Sequence, residues 1–183
     1  MTPVPLLLRP LEVGDEASFK NAVAEFAREM PPWQFAFGFD ESLPFAEYVA
    51  ILKAHSRGVG VPAGFVPNTY LVGVVDGVIV GRLSLRHSLN ETLSRIGGHL
   101  GYGVIPSQRR RGHATAMLRQ ALPICAGLGI ERALLTCDED NIASRRVIQR
   151  CGGILENLRD DRDSGIPKLR YWLPTGSTLF PST

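Results

Sequence analysis

The residues best suited to chemistry lie in one stretch, residues 104–118. Three consecutive arginines, Arg109, Arg110 and Arg111, precede Gly112 and His113, and a helical pattern follows them. The first N–H groups of a helix lack intrahelical partners, and the helix dipole favours negative charge there. Small residues at this start let an anion approach the amides closely. The stretch therefore predicts a binding site for a diphosphate.

The helix that follows has one apolar face, because apolar residues recur at offsets of three and four. Its members are Ala114, Met117, Leu118, Ala121, Leu122 and Cys125. Pro123 removes one backbone donor, so we expect the helix to bend or end near Leu122.

A second polar cluster follows a predicted strand at residues 134–137. It contains Asp138, Glu139, Asp140 and Asn141, and a helix then extends to Cys151 and the glycine pair that follows it. By itself, Asn141 is typical of a helix cap or a turn, because its amide satisfies local backbone groups.

The elements that must position these clusters alternate along the chain. The pattern predicts strands at residues 6–8, 98–105, 132–137 and 168–173, and helices at 16–30 and 43–55. Asp76-Gly77 between two β-branched runs predicts a hairpin over residues 69–88. The order indicates an α/β fold on one sheet.

Four aromatic residues alternate with other residues between the first two helices. They are Trp33, Phe35, Phe37 and Phe39. An extended segment would place all four rings on one side. Core packing and a substrate-facing aromatic wall are both consistent with this spacing.

Composition narrows the class of protein. A chain of 183 residues with 44% hydrophobic residues suits one globular domain, and a net charge of +2 selects neither nucleic acid nor an anionic membrane. Three scattered cysteines favour a reducing cytoplasm, and the apolar run at residues 4–8 is too short for a membrane span. The four histidines lack metal-binding spacing, so no metal site is expected.

The two polar clusters together resemble motifs of the GNAT (GCN5-related N-acetyltransferase) family. The pyrophosphate signature Gln/Arg-x-x-Gly-x-Gly/Ala matches residues 109–114, ending in Ala114. Asn141 matches the asparagine after the fifth strand, and Ser144 matches the small residue three places on. The resemblance is best over residues 69–173. It implies a single domain over 1–183, with a twisted, mostly antiparallel mixed sheet of six to seven strands and about four helices.

The resemblance implies acetyl-coenzyme A as cosubstrate and no metal. Pantetheine would pair with the central strand, and the diphosphate would bind at the arginine-glycine turn. The implied binding residues are Tyr102, Gly103, Val104, Arg109, Arg110, Arg111, Gly112, His113, Ala114, Thr115, Asn141 and Ser144. A primary amine, on a small molecule or a peptide, would attack the thioester directly. The family also forms homodimers, which nothing in this sequence tests.

The chain departs from the family pattern at two catalytic positions. Ile148 stands where many members carry a tyrosine acid, and Thr136 stands where some carry a glutamate. Tyr102, Tyr171, Cys151 or a bound water could replace the acid, and His99, Asp138 and Glu139 are the candidate bases. Of these we choose Tyr102 and His99, because His99 has the more useful intrinsic pKa for a base, about 6.5. Two alternatives therefore stay open: a coenzyme-binding sensor with weak chemistry, and a nucleic-acid module that uses the arginine cluster.

Overall fold

A computed structural model describes residues 5–30, 35–161 and 164–176. These residues form seven strands and four α-helices. The strands are β1 (Leu7–Pro10), β2 (Asn68–Val75), β3 (Val78–Arg86), β4 (Leu100–Val104), β5 (Arg132–Asp138), β6 (Ile154–Arg159) and β7 (Lys168–Pro174). The helices are α1 (Glu16–Phe26), α2 (Phe45–Ser56), α3 (His113–Gly127) and α4 (Ile142–Arg150). The α/β class and the strand and helix numbers are confirmed.

The strands form two antiparallel groups. Four pair in the order β1-β2-β3-β4, and three pair in the order β5-β7-β6. Sequence analysis expected one continuous sheet, whereas the described strands divide between β4 and β5. The division matters because it leaves an edge of each group facing the other.

The predicted hairpin is confirmed with its turn chemistry. β2 and β3 pair in antiparallel register around the turn, and Asp76 and Gly77 have φ values of 49° and 75°. Positive φ at both central residues defines a type I′ turn, whose twist matches that of the flanking strands.

The four-stranded sheet carries a different core on each face. On one face, α3 and α4 pack against residues such as Leu83 and Leu85. On the other face, α1, α2 and an aromatic cluster pack against Tyr70 and Val72. The part of the chain described here has no helix long and apolar enough to cross a membrane.

The described part of the aromatic segment contains both buried and exposed rings. Phe35 is buried and Phe39 packs against the same cluster, with each ring within 6 Å of the Phe19 ring. Phe37 is instead 39% exposed. The segment forms bends and turns, so the rings do not share one side. Trp33 lies outside the described residues.

Two helix ends differ from their predicted positions. α1 ends at Phe26, before the predicted residue 30. α3 continues through Pro123 to Gly127, with Leu122 and Cys125 buried on either side of the proline. Packing of this apolar face against the sheet therefore outweighs the loss of one backbone hydrogen bond.

In residues 5–30, 35–161 and 164–176, the two sheets are joined by hydrogen bonds at the start of β4. The N–H of His99 donates to the carbonyl of Leu134 at 2.7 Å, and the N–H of Leu134 donates to Nδ1 of His99 at 3.0 Å. His99 is 8% exposed, and burial, with a smaller contribution from Arg86, lowers its pKa. Its ring is therefore a neutral hydrogen-bond acceptor at neutral pH.

Gly98 lies at the same junction in a conformation that other residues rarely adopt. Its φ and ψ are 68° and −179°, a region almost restricted to glycine. A Cβ at this position would lie 2.4 Å from the carbonyl oxygen of Leu134. The close approach of the two sheets therefore requires glycine.

We expect Gly98→Ala to destabilise the protein more than Gly129→Ala. Both glycines have positive φ, but a Cβ at Gly129 would meet nothing within 4 Å. Backbone strain alone costs about 1–2 kcal/mol, and overlap with Leu134 adds about 1–3 kcal/mol. Urea unfolding of both variants measures the difference. Equal losses of unfolding free energy in the two variants would contradict the close contact between the sheets at Gly98.

We expect the unfolding free energy of His99→Asn to fall less than that of the wild type as the pH is lowered below neutrality. The lowered folded-state pKa means that the unfolded chain binds more protons below about pH 6.5. Wild-type stability from this group is thus present above that pH and is lost as the pH falls through the folded pKa. Asparagine keeps an acceptor but does not titrate. Unfolding free energies at pH 5 and pH 7.5 test this, and identical pH dependence in both proteins would contradict it.

Candidate active site

Beyond the His99 junction, β4 and β5 diverge and a cleft opens between them. We call this opening the β4–β5 cleft; its volume is about 390 Å³. Residues from both strands, from β3 and from the start of α4 line it. They include Phe37, Arg82, Arg86, Gly101, Tyr102, Thr136, Cys137, Asp138, Asn141, Ser144 and Lys168.

The edge of β4 that faces the cleft carries alternate backbone groups. The N–H of Ile105 donates to Val80 of β3, and Gly103 lies opposite Arg82 of that strand. Because antiparallel pairing alternates, the backbone groups of Gly103 face β3, whereas those of Tyr102 and Val104 face the cleft. Of the three strand residues predicted to pair with pantetheine, Tyr102 and Val104 therefore present their amides to the cleft.

Tyr102 spans the cleft on the α3/α4 face. Its hydroxyl lies 2.8 Å from Oγ of Ser144 and 3.4 Å from the carbonyl oxygen of that residue. Burial is the main cause that raises the pKa of the phenol well above its usual value. The hydroxyl is thus protonated throughout the neutral range, although the raised pKa makes it a weaker acid than an exposed tyrosine.

Asn141 caps α4 and also lines the cleft. Its Oδ1 accepts a hydrogen bond of 2.9 Å from the N–H of Ser144. The cap uses only the amide oxygen, so the two hydrogens on Nδ2 remain available as donors. The capping interpretation and a ligand contact are therefore compatible at this residue.

The turn before α3 has the geometry that its sequence predicted. Gly112 is the N-cap with φ of 84°, and a Cβ there would meet nothing within 4 Å. The first helical bond runs from the N–H of Ala116 to the carbonyl of Gly112. The N–H groups of His113, Ala114 and Thr115 therefore precede the helical ladder and require other partners.

The three arginines of this turn have different surroundings. Arg109 makes two hydrogen bonds to Glu29, at 2.6 and 2.8 Å, and its Nε donates to the carbonyl of Val104. Arg110 and Arg111 are exposed, and Arg110 has φ of 67°. Arg109 therefore ties the turn to α1 and β4, while its two neighbours supply positive charge at the surface.

His113 begins α3 beside these charges. Burial, with a smaller contribution from Arg111, lowers its pKa. The imidazole is consequently neutral at neutral pH, so positive potential at the turn comes from the arginines and the helix terminus.

The structure separates the two candidate catalytic residues. Tyr102 lines the cleft, whereas the Nδ1 lone pair of His99 is used by the Leu134 amide. Thr136 donates to the carbonyl of Ile96, and Ile148 is fully buried. Neither of the two departures from the family pattern therefore supplies an acid or a base.

Sequence analysis missed the charged residues on the opposite face of the cleft. Arg82 and Arg86 project from β3, and Lys168 forms ion pairs with Asp138 and with Asp161, the latter at 3.4 Å. A signal was present for the arginines, because polar residues alternate at positions 82, 84 and 86 of a strand that is otherwise apolar. Strand alternation places all three on one face.

Comparisons with solved structures show the same fold. Mycobacterium smegmatis RimJ in complex with CoA-disulfide is 22% identical, with a TM-score of 0.70 over 99% of this chain and 88% of that chain. The ribosomal-protein-S5-alanine acetyltransferase from Vibrio fischeri is 13% identical, with a TM-score of 0.70 over 96% of each chain. YncA, a putative acetyltransferase from Salmonella typhimurium with acetyl-CoA, is 14% identical, with a TM-score of 0.60 over 97% and 98%.

Sequence comparison identifies the family. A search of curated proteins found no match. The family described as "Acetyltransferase (GNAT) domain" matches residues 5–154, which is most of the chain and includes the cleft strand β4, the turn before α3 and the cap of α4. The chain therefore belongs to the GNAT acetyltransferase family.

Proposed function

We propose that this protein transfers an acetyl group from acetyl-coenzyme A to a primary amine. The observation that carries the proposal is the β4–β5 cleft, where amides of β4 face an opening. The end of β4 is tied by Arg109 to the turn before α3, whose N-terminus has no side-chain cap. A long ligand with amide groups at one end and a diphosphate at the other fits this arrangement. Several structural neighbours were solved with coenzyme A or acetyl-coenzyme A, which supports the same ligand.

The pantetheine arm would pair with β4 as an added strand. Tyr102 and Val104 offer backbone groups on that edge, and Nδ2 of Asn141 and the hydroxyl of Ser144 lie on the opposite wall. Added-strand pairing gives affinity through main-chain hydrogen bonds and needs no particular side chain on β4. Gly103 contributes by holding β4 against β3.

The diphosphate would bind at the turn before α3. The amides of residues 112–115 precede the helical ladder, and Arg110 and Arg111 add charge from exposed positions. Arg109 is already bonded to Glu29 and to Val104, so we assign it a positioning role that fixes the turn against the end of β4. Arg109, the first residue of the signature, would thus contribute by holding the turn in place.

The chemistry is direct attack of a neutral amine on the thioester carbon. The N–C bond forms, the C–S bond breaks, the amine loses a proton and the thiolate gains one. A β4 amide near the thioester oxygen would stabilise the oxyanion, and loss of such a donor costs about 3 kcal/mol of barrier. Tyr102 is the proton donor that the cleft offers to the thiolate.

His99 is better suited to positioning than to proton transfer. Its Nδ1 holds the Leu134 amide, and its lowered pKa makes it a weaker base than an ordinary histidine. Asp138 is a carboxylate that lines the cleft, and it is paired with Lys168. The proton of the amine would pass to water in the open cleft or to Asp138.

A sensor that binds the coenzyme without efficient transfer is the second candidate. The observation favouring it is Ile148, which is fully buried where many relatives place a tyrosine acid. Efficient transfer therefore requires that the Tyr102 hydroxyl protonate the leaving thiolate in place of that tyrosine. The two functions differ in turnover and share coenzyme binding.

We expect the protein to release free thiol from acetyl-coenzyme A when amines are supplied. A panel of amino acids, polyamines, lysine peptides and peptide N-termini tests the acceptor classes, with thiol detection and mass spectrometry of the product as readouts. Coenzyme binding by calorimetry without thiol release from any acceptor would favour the sensor. Absence of both binding and release would contradict the proposal.

We expect Tyr102→Phe to lower kcat by about 10²–10⁴-fold, the usual contribution of a general acid. The KM for acetyl-coenzyme A should change little, because the backbone of residue 102 is retained. Ser144→Ala is the matched control, since it removes the hydroxyl partner at 2.8 Å and leaves the phenol in place. Equal kcat in wild type and Tyr102→Phe would exclude the phenol as the acid.

A further inference from the structure

Two arginines on β3 converge on the α1/α2 face of the cleft. Arg82, Ser84 and Arg86 alternate along the strand, so their side chains leave the sheet on the face opposite α3. Nη1 of Arg82 lies 3.4 Å from the carbonyl oxygen of Gly101. A Cβ at Gly101 would lie 3.6 and 3.8 Å from Nη1 and Nη2 of Arg86. Both guanidinium groups therefore meet over one residue of β4, although they start four positions apart.

The contacts of Arg86 in the described structure are to neutral groups. Its Nη1 donates to the carbonyls of Gly97 and Gly98, at 3.2 and 3.1 Å. Among residues 5–30, 35–161 and 164–176, no carboxylate lies within ion-pair distance of it. A guanidinium that is mostly withdrawn from water without a counter-ion is costly, and a ligand anion would offset that cost.

Arg82 is the more buried member of the pair. It is 2% exposed, and its guanidinium lies over the Phe37 ring at 4.7 Å from the centroid. Burial is the main cause that lowers its pKa to about 10, and the charge of Arg86 contributes in the same direction. Arg82 is still a cation at neutral pH, so two positive charges face one small volume.

The other charged side chains that line the cleft, Lys168 and Asp138, are paired with each other. Lys168 lies beside Asp138 and Asp161, and these three form their own ion-pair cluster. Asp138 is therefore already compensated. Arg86 has no such partner in the described part of the chain, and the absence of a side chain at Gly101 leaves its guanidinium open to a ligand.

The position of the pair limits the size of the ligand. Gly101 directly precedes Tyr102, whose backbone edge is the proposed thioester site. Adjacent strand residues are about 3.3 Å apart. An anion over Gly101 would consequently lie only a few bonds from an amine that attacks the thioester. A planar carboxylate suits the guanidinium fork.

We propose that the acceptor is an amine with a carboxylate a few bonds away, and that Arg86 holds this carboxylate on the α1/α2 face of the cleft. The inference rests on the proposed acetyl transfer and names its substrate class. A free amino acid and a peptide that begins with aspartate or glutamate share this chemistry. Arg86 is the specificity-determining contact.

The test compares acceptors that differ only in carboxylate against carboxamide. Glycine with glycinamide and β-alanine with β-alaninamide probe free amino acids. A peptide amide beginning with aspartate, paired with one beginning with asparagine, probes peptide N-termini. We expect the wild type to favour the carboxylate member of at least one class by about 10- to 100-fold in kcat/KM calculated for the neutral amine, the range for a hydrogen bond to a charged group. The acceptor class that shows the preference identifies whether the substrate is a free amino acid or a peptide N-terminus.

Three variants assign the preference to Arg86. Arg86→Gln should bring the ratio close to one, mainly through KM, while Arg86→Lys should keep part of it. Arg57→Gln removes an exposed charge at the end of α2 and should leave the ratio unchanged. Expressing kcat/KM per neutral amine removes the different amine pKa values of acid and amide from each ratio. Calorimetric affinity for coenzyme A shows that the Arg86 variants are folded.

Binding of the product gives a readout without turnover. N-acetylglycine should bind the coenzyme-loaded wild type more tightly than its amide, and Arg86→Gln should abolish the difference. Equal use of acids and amides by an active wild type would overturn the inference and leave acetyl transfer intact. Equal binding of the two products would overturn it as well. Loss of coenzyme binding altogether would instead remove the proposed function.

Discussion

The structure depends on one contact between two sheets. β4 and β5 are joined where His99 and Leu134 exchange hydrogen bonds, and beyond this point each strand pairs only with its outer neighbour. The divergence leaves strand edges facing a cleft, although backbone donors and acceptors strongly favour pairing. An elongated ligand with its own amides satisfies such an edge, and GNAT membership makes the coenzyme the natural candidate. Gly98 and His99 maintain the junction that keeps the opening at one end only.

The alternation of β4 gives the cleft two chemically different faces. Tyr102 and Val104 direct their side chains toward the α3/α4 core, where the phenol reaches Ser144. Gly101 and Gly103 lie on the other face and leave room for the guanidinium groups from β3. In the proposed complex, the thioester would lie on the edge of β4, with the Tyr102 phenol on one side and Arg86 on the other. A two-residue period is sufficient to produce this division.

Local signals in the sequence predicted much of this arrangement. The Asp76-Gly77 hairpin, the start of α3 at Gly112 and the α4 cap at Asn141 depend on a few adjacent residues, and all three occur in the structure. Residues whose role depends on long-range contacts were not predictable. Arg109 donates hydrogen bonds to Glu29, which lies 80 residues away in the chain. Nδ1 of His99 accepts a hydrogen bond from Leu134 of β5. The persistence of α3 through Pro123 likewise reflects tertiary packing and not local propensity.

The central claim is that a coenzyme A thioester lies along β4 with its diphosphate at the start of α3. Amide-resolved NMR of the full chain, titrated first with pantetheine and then with coenzyme A, tests it most directly. The account predicts that pantetheine shifts the amides of Tyr102 and Val104, and that coenzyme A additionally shifts those of residues 112–115. Saturation with coenzyme A that leaves both groups of amides unmoved would contradict it.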